Sequence, residues 1–367
     1  MNLFYILVLG IPIFASLCTT QCGSKNRKKI HRLVTFVLAI LLALRNNIGA
    51  DFFTYKAHYE VYLNGNVPNV KFDIGYEFIN NLLGSLGIPY SMFLFIIGAF
   101  ILHSFYRYLE DLEIKHEFIP TAFYFLIFDI FIYSLSAIRQ SIAIGCLFFT
   151  FIYEKHKKIK RAVVVFILGC LFHWSLLFMV PCLILSKKIK CVKFSSLIIL
   201  IPISSVLYYM FMKSPLLEKF AGINDNLNFY LMIEKTDISY GEFTYLIYAL
   251  LVFLWVFVVV HFKKLESGLI QFKKLKNYSY AISLEEWFVY IFLLSKIWLV
   301  IQYNASLPRI QMYWYFMVPF FMGIVAEKIK GNTKFLLYSI TFMLLLISFI
   351  SKLTVNYRYY GDASILL

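Results

Sequence analysis

KHKKIKRAVVVFILGCLFHWSLLFMVPCLILSKKIKCVK, residues 155–193, decides how this chain is threaded. Its apolar middle, 162–186, has the length of a single bilayer crossing, about 20 residues. Both flanks are strongly basic, and cations next to apolar spans stay on the cytoplasmic side. Two short helices, 162–172 and 174–186, satisfy both flanks by entering and returning, with the turn at His173-Trp174. Non-helical backbone at such depth survives only inside protein or beside a water-filled cavity. One full crossing would instead flip every later loop and place the lysines of 263–276 outside.

Working outward, apolar helices are expected near 3–19, 33–45, 89–108, 118–134 and 138–154 before this segment. After it they are expected near 194–212, 244–262, 285–303, 310–327 and 334–351. The fold class is therefore all-α: a polytopic membrane bundle of about 11 transmembrane elements, counting the re-entrant pair as one. The stretch SKNRKKIHR after the first apolar segment marks it as a retained anchor with an external N-terminus. Alternating sides from there gives inner loops at 20–32, 109–117, 155–161, 187–193, 263–284 and 328–333, and these hold most of the Lys and Arg.

Composition agrees. Of 367 residues, 61% are hydrophobic and 15% charged, against about 25% charged in a soluble domain. Residues 1–367 are expected to form a single integral-membrane domain. The net charge of +15 concerns topology and anionic lipid headgroups in the bilayer, with no nucleic acid as partner. The six cysteines have no metal-site spacing and read as buried or unpaired thiols. There is no Walker loop for ATP and no paired-Asp outer loop for a divalent ion, so neither cofactor nor metal is expected.

Three arginines fall at helix ends on the outer side, which is otherwise poor in cations. Arg45 lies in LRNNIGADFFTYKAHY, where Gly49 lets the chain turn before Asp51 and Tyr55. If helical, the four-residue spacing puts those two on one face. Arg45 either joins an anion site or snorkels to headgroups, and Asp51 either works in the site or caps the next helix. Arg139 and Gln140 in SLSAIRQSIA open a helix, whose N-terminal amides favour an anion and whose arginine fork fits phosphate oxygens, unless that arginine is a simple interface anchor. Arg309 follows Pro308 in NASLPRIQMY, ahead of Tyr313, in the same way. Three such ends suit one diphosphate. His173 is either a satisfied core histidine or a general base kept neutral by desolvation. Lys296, inside a span, snorkels or pairs with Glu285 or Glu286. The outer segments 46–88, with a helix at 74–86, and 213–243 mix aromatics with carboxylates, which suits sugars as well as an interfacial belt.

Four blocks in order resemble the EpsG-like branch of the Wzy-type bacterial polysaccharide polymerases: R-x-x-I-G-x-D-x-x-x-Y at Arg45 to Tyr55, A-I-R-Q-S-I-A at Ala137 to Ala143, L-F-H-W-S-L-L at Leu171 to Leu177, and R-I-x-x-Y at Arg309 to Tyr313. They span about 35 to 325; Ala50 stands where the family commonly has Thr. The resemblance implies an architecture similar to lipid-linked, GT-C-like glycosyltransferases of the bacterial inner membrane, with the site facing the periplasm or exterior. It implies transfer of a growing glycan from undecaprenyl diphosphate onto another lipid-linked repeat unit, with no cofactor or metal and with a separate chain-length regulator as partner. Arg45, Arg139 and Arg309 would then hold diphosphate, Asp51 or His173 would orient or deprotonate the attacking hydroxyl, and Tyr55, Gln140 and Tyr313 would contact substrate. A flippase should also show a charged path on both sides and internal repeats. An acyltransferase would have only His173 to use.

Overall fold

The computed structural model describes residues 3–49, 51–69, 71–188, 191–193, 203–204, 206–210, 279–281, 283–301, 307–327, 332–355 and 364–365. The expected helix at 244–262 and outer segment 213–243 lie outside the described residues, as does most of the helix near 194–212. In chain order the helices are α1 (Leu3–Thr19), α2 (Ser24–Ala43), α3 (Phe52–Leu63), α4 (Ile74–Ser85), α5 (Tyr90–Asp111), α6 (Phe118–Leu126), α7 (Phe128–Ser136), α8 (Ile138–Lys155), α9 (Ile159–Phe172), α10 (Met179–Lys188), α11 (Leu284–Ile301), α12 (Leu307–Tyr315), α13 (Val318–Glu327) and α14 (Asn332–Val355). A 3-10 turn, Trp174–Phe178, joins α9 to α10. The strands are short: β1 (Arg45–Asn46) pairs antiparallel with β4 (Ser364–Ile365), and β2 (Cys191–Lys193) with β3 (Ser279–Ala281). The described residues are mostly helical, as their long apolar runs require.

The chain divides into two compact units, Met1–Leu177 with Met322–Leu367, and Phe178–Phe321. In the first, α5 packs on α2 and on α8, and α8 packs on α9. Helices α3 and α4 pair with one another, and α4 also seats on α9. Where these meet, the core is aromatic: Phe52, Tyr55, Tyr59, Tyr76, Tyr90 and Phe93 are all buried. Helix α9 turns Val163, Val164, Ile167 and Leu168 outward, the reverse of a soluble helix. Among the described residues α5, with 22 residues and mean hydropathy 1.6, is long and apolar enough to cross a membrane; α6 and α7 taken together also qualify, bent by 57°. In the second unit α11 and α12 pack together, with Phe292 stacked on Tyr315 at 4.4 Å.

Three expected helices change shape. The span 118–134 breaks at Ile127, which is extended (φ −78°, ψ 105°). The break places Asp129 in the first turn of α7, where free amides favour a carboxylate, and Lys352 of α14 pairs with it. The span 310–327 breaks before Val318, because Pro319 has no N–H to continue a helix. Helix α2 starts at Ser24 rather than near 33, since Lys and Arg are good helix formers, and it ends before Arg45. The segment 162–186 does break at His173, whose backbone is extended (φ −157°, ψ 106°).

At the basic end of α2, buried His31 ties three elements together. Its Nδ1 lies 2.8 Å from Glu110 Oε1 and its Nε2 lies 2.8 Å from Glu117 Oε2. The ring stacks on Tyr106 at 4.6 Å, and Arg107 donates to Glu110. Carboxylates only accept, so both ring nitrogens must donate, which makes the group an imidazolium. Burial acts to lower the pKa of His31, but hydrogen bonds and charge from the two glutamates raise it above the ordinary 6.5. Its contribution to stability is therefore complete below pH 6.5 and lost as pH rises through the raised folded value. Deprotonation would remove the donor that links the two carboxylates, leaving Arg107 to Glu110 and Arg27 to Glu117. Thermal unfolding in detergent should show Tm falling as pH rises above 6.5, with His31→Gln flattening that slope. An equally steep slope in the variant would assign the pH dependence elsewhere.

Candidate functional site

Asp73 is the N-cap of α4, and such residues usually turn their carboxylate back onto the first amides of the helix. Here the side chain makes no cap hydrogen bond; the amides of Tyr76 and Glu77 bond to the Asp73 backbone carbonyl at 2.9 and 3.0 Å. The carboxylate is thereby left to other partners. Arg139, the second residue of α8, donates from Nη1 to Asp73 Oδ2 and from Nε to the Tyr55 hydroxyl at 3.4 Å. Its guanidinium lies 4.5 Å from the centroid of the Phe72 ring. On the same carboxylate oxygen, His173 Nδ1 stands 3.5 Å away.

Close backbone packing brings these groups together. A Cβ on Gly75 would sit 3.0 Å from both the carbonyl carbon and oxygen of Leu171. The missing side chain lets the first turn of α4 rest on the last turn of α9. Asp73, two residues before Gly75, then reaches His173, two residues after Leu171. Gly49 does the same for the segment before α3: its φ of +108° suits glycine, and a Cβ there would meet Ser136 Oγ at 3.0 Å.

The cluster is electrostatically biased. Burial acts to raise the Asp73 carboxyl, but the neighbouring His173 ring and the charge of Arg139 outweigh it and hold the group below the ordinary value. Asp73 is thus a carboxylate at neutral pH. It is the counter-ion of Arg139, not an acid. Nearby, burial first and then the hydrogen bond to Glu77 push the Tyr62 hydroxyl up to about 12.

Of the residues expected from sequence, Arg139, Tyr55 and His173 meet at this cluster. Arg45 is buried, 4% exposed, and donates to the Leu135 carbonyl at 3.2 Å instead of spreading to the surface. It borders a small cavity lined mainly by Leu42, Leu94, Phe131, Leu135 and Ile138. Arg45 and Arg139 both lie within electrostatic reach of buried Tyr76. Asp51 is exposed at the N-cap of α3 and makes no side-chain cap bond; the Tyr55 amide bonds to its backbone carbonyl at 3.0 Å. Gln140 is buried and accepts from the Tyr133 hydroxyl at 3.2 Å.

In the second unit, Arg309 is half-buried and Tyr313 fully buried on α12. Lys296, for which sequence offered Glu285 or Glu286, donates to Gln311 Oε1 at 2.6 Å and sits 5.0 Å from the Phe292 ring centroid. Gln311 in turn donates to the Ser295 carbonyl at 2.8 Å. The carboxylate at the centre of the first unit's cluster, Asp73, was not singled out from sequence. An Asp directly before an amphipathic helix reads as an ordinary cap, and that local reading conceals its partners.

No curated protein and no solved structure matches the chain. One family model does, the EpsG family, over residues 28–363.

Proposed function

The chain belongs to the EpsG family, and on that premise we propose that it is a membrane polysaccharide polymerase. It transfers a growing glycan from undecaprenyl diphosphate to a second lipid-linked repeat unit, at the outer face of the bacterial inner membrane. The observation that carries the reading is the cluster in which one carboxylate, Asp73, meets both Arg139 and His173.

With Nδ1 facing Asp73, His173 carries its proton on that nitrogen and keeps the lone pair on Nε2. Nε2 takes the proton of the acceptor hydroxyl as its oxygen bonds to the anomeric carbon of the donor. The bond from that carbon to the diphosphate oxygen breaks, and the diphosphate leaves with the electron pair. Charge grows on the diphosphate, and fixed cations there lower the barrier. A guanidinium has five N–H donors, so Arg139 can hold Asp73 and Tyr55 and still reach phosphate oxygens. Arg45 and Arg309 are the further diphosphate-binding candidates, and Tyr55, Gln140 and Tyr313 the substrate contacts. Of the two bases, His173 is favoured over Asp51 because it has an orienting partner.

The test is the glycan banding pattern of a deletion strain, run beside strains complemented with the wild type and with Arg309→Ala. The polymer should vanish while a single repeat unit remains attached, and Arg309→Ala should leave only that unit. Loss of the single-unit product as well would point to a flippase or an earlier transferase. Full-length chains from Arg309→Ala would remove that residue from the site.

A further inference from the structure

One helical turn after Asp73, a second carboxylate on α4 is enclosed by groups from α3 and from the chain just before α4. Glu77 Oε1 accepts the backbone N–H of Phe72 and lies 2.9 Å from His58 Nε2; Glu77 Oε2 accepts the Tyr62 hydroxyl. His58 and Tyr62 are four residues apart on α3 and so present one face to it. The imidazole of His58 lies 4.4 Å from the Phe72 ring centroid, and the same ring carries the Arg139 guanidinium at 4.5 Å. Phe72 is therefore held through its amide by Glu77 and through its ring by His58 and Arg139. The next residue is Asp73. A glutamate in the first turn that reaches back to an amide before the helix fixes the angle at which the chain enters it.

We propose that Glu77 is a positioning residue for the transfer reaction. By clamping the Phe72 amide against the His58–Tyr62 face it sets the direction of the Asp73 carboxylate, and through it the alignment of Arg139 and His173. This rests on the Asp73 cluster being the transfer site. Glu77 itself touches none of the reacting groups.

The experiment uses the full-length protein in nanodiscs with a lipid-linked repeat unit as donor and acceptor. Turnover, KM, Tm and amide exchange across 71–77 are measured for the wild type, Glu77→Ala, Glu77→Asp and Glu77→Gln. Misalignment by a fraction of an ångström to an ångström should lower turnover of Glu77→Ala about 100-fold while leaving KM within about twofold. Glu77→Asp, whose carboxylate is too short to reach the Phe72 amide, should behave the same way and decides the matter if the alanine variant does not fold. Glu77→Gln, which keeps an acceptor oxygen at the right length, should recover most of the turnover. Exchange at Phe72 to Tyr76 should quicken in Ala and Asp but not in Gln.

Wild-type turnover in Glu77→Asp overturns the proposal. So does a loss shared equally by Gln and Asp that follows a general fall in Tm. A wild type that forms no polymer overturns the transfer reading instead, and the exchange pattern then decides by itself whether Glu77 clamps the chain before Asp73.

Discussion

Arg139→Ala should abolish long glycan chains while the protein still reaches the membrane. The substitution removes a cation that is bonded to Asp73, bonded to Tyr55 and placed over the Phe72 ring at once. Loss of a fixed donor at a site of developing negative charge costs about 10²–10³-fold in turnover. Arg139→Lys should fail nearly as badly, because an ammonium has neither the planar fork nor the ring-stacking face of a guanidinium. Chain length on a gel and single-turnover rates in nanodiscs report both variants, with membrane abundance as control. Wild-type chain lengths from Arg139→Ala would remove the diphosphate clamp from this cluster.

The second large effect is expected at Asp73. Asp73→Asn keeps the volume of the side chain and removes its charge, leaving Arg139 without its counter-ion and His173 without the carboxylate that faces its Nδ1. A side-chain amide can donate to Nδ1 and so shift that proton to Nε2, which then no longer accepts one from a hydroxyl. By comparison with other carboxylate–histidine pairs, turnover should fall about 10³-fold or more. Stability should fall too, by about 1–3 kcal/mol, because a half-buried guanidinium loses its counter-ion. The depressed pKa of Asp73 gives the sign of a related pH effect: its contribution is present above the ordinary carboxyl value of 3.8 and lost as pH falls through the lower folded value. Asp51→Asn is the informative comparison. If it abolishes turnover and Asp73→Asn does not, the base is Asp51 and the His173 assignment is wrong.

Much of the helical plan was legible. A break at His173 was expected from the two basic flanks, and the helix does end there; the start of α8 near Arg139 was readable because a short polar turn interrupts apolar runs. The break at Ile127 was not. FLIFDIFIY is apolar throughout save for Asp129, and the partner that makes a bend favourable there is Lys352, 223 residues away. Arg45 was placed near a helix end, but sequence left open whether it snorkels; burial beside Tyr76 and Tyr90 depends on how α4 and α5 close over it.

By itself, the sequence determined a mostly helical membrane chain of the EpsG family, with arginine and histidine at the helix boundaries where chemistry is expected. Those features are local: apolar length, flanking charge and helix punctuation act over one or two turns. Only the tertiary structure decided which carboxylate serves them. Asp73 is 66 residues from Arg139, and it reaches both Arg139 and His173 because Gly75 lets α4 lie against the backbone of α9. An interaction of that range is set by which helices pack and how closely, a property of surfaces in contact that no short stretch of sequence contains.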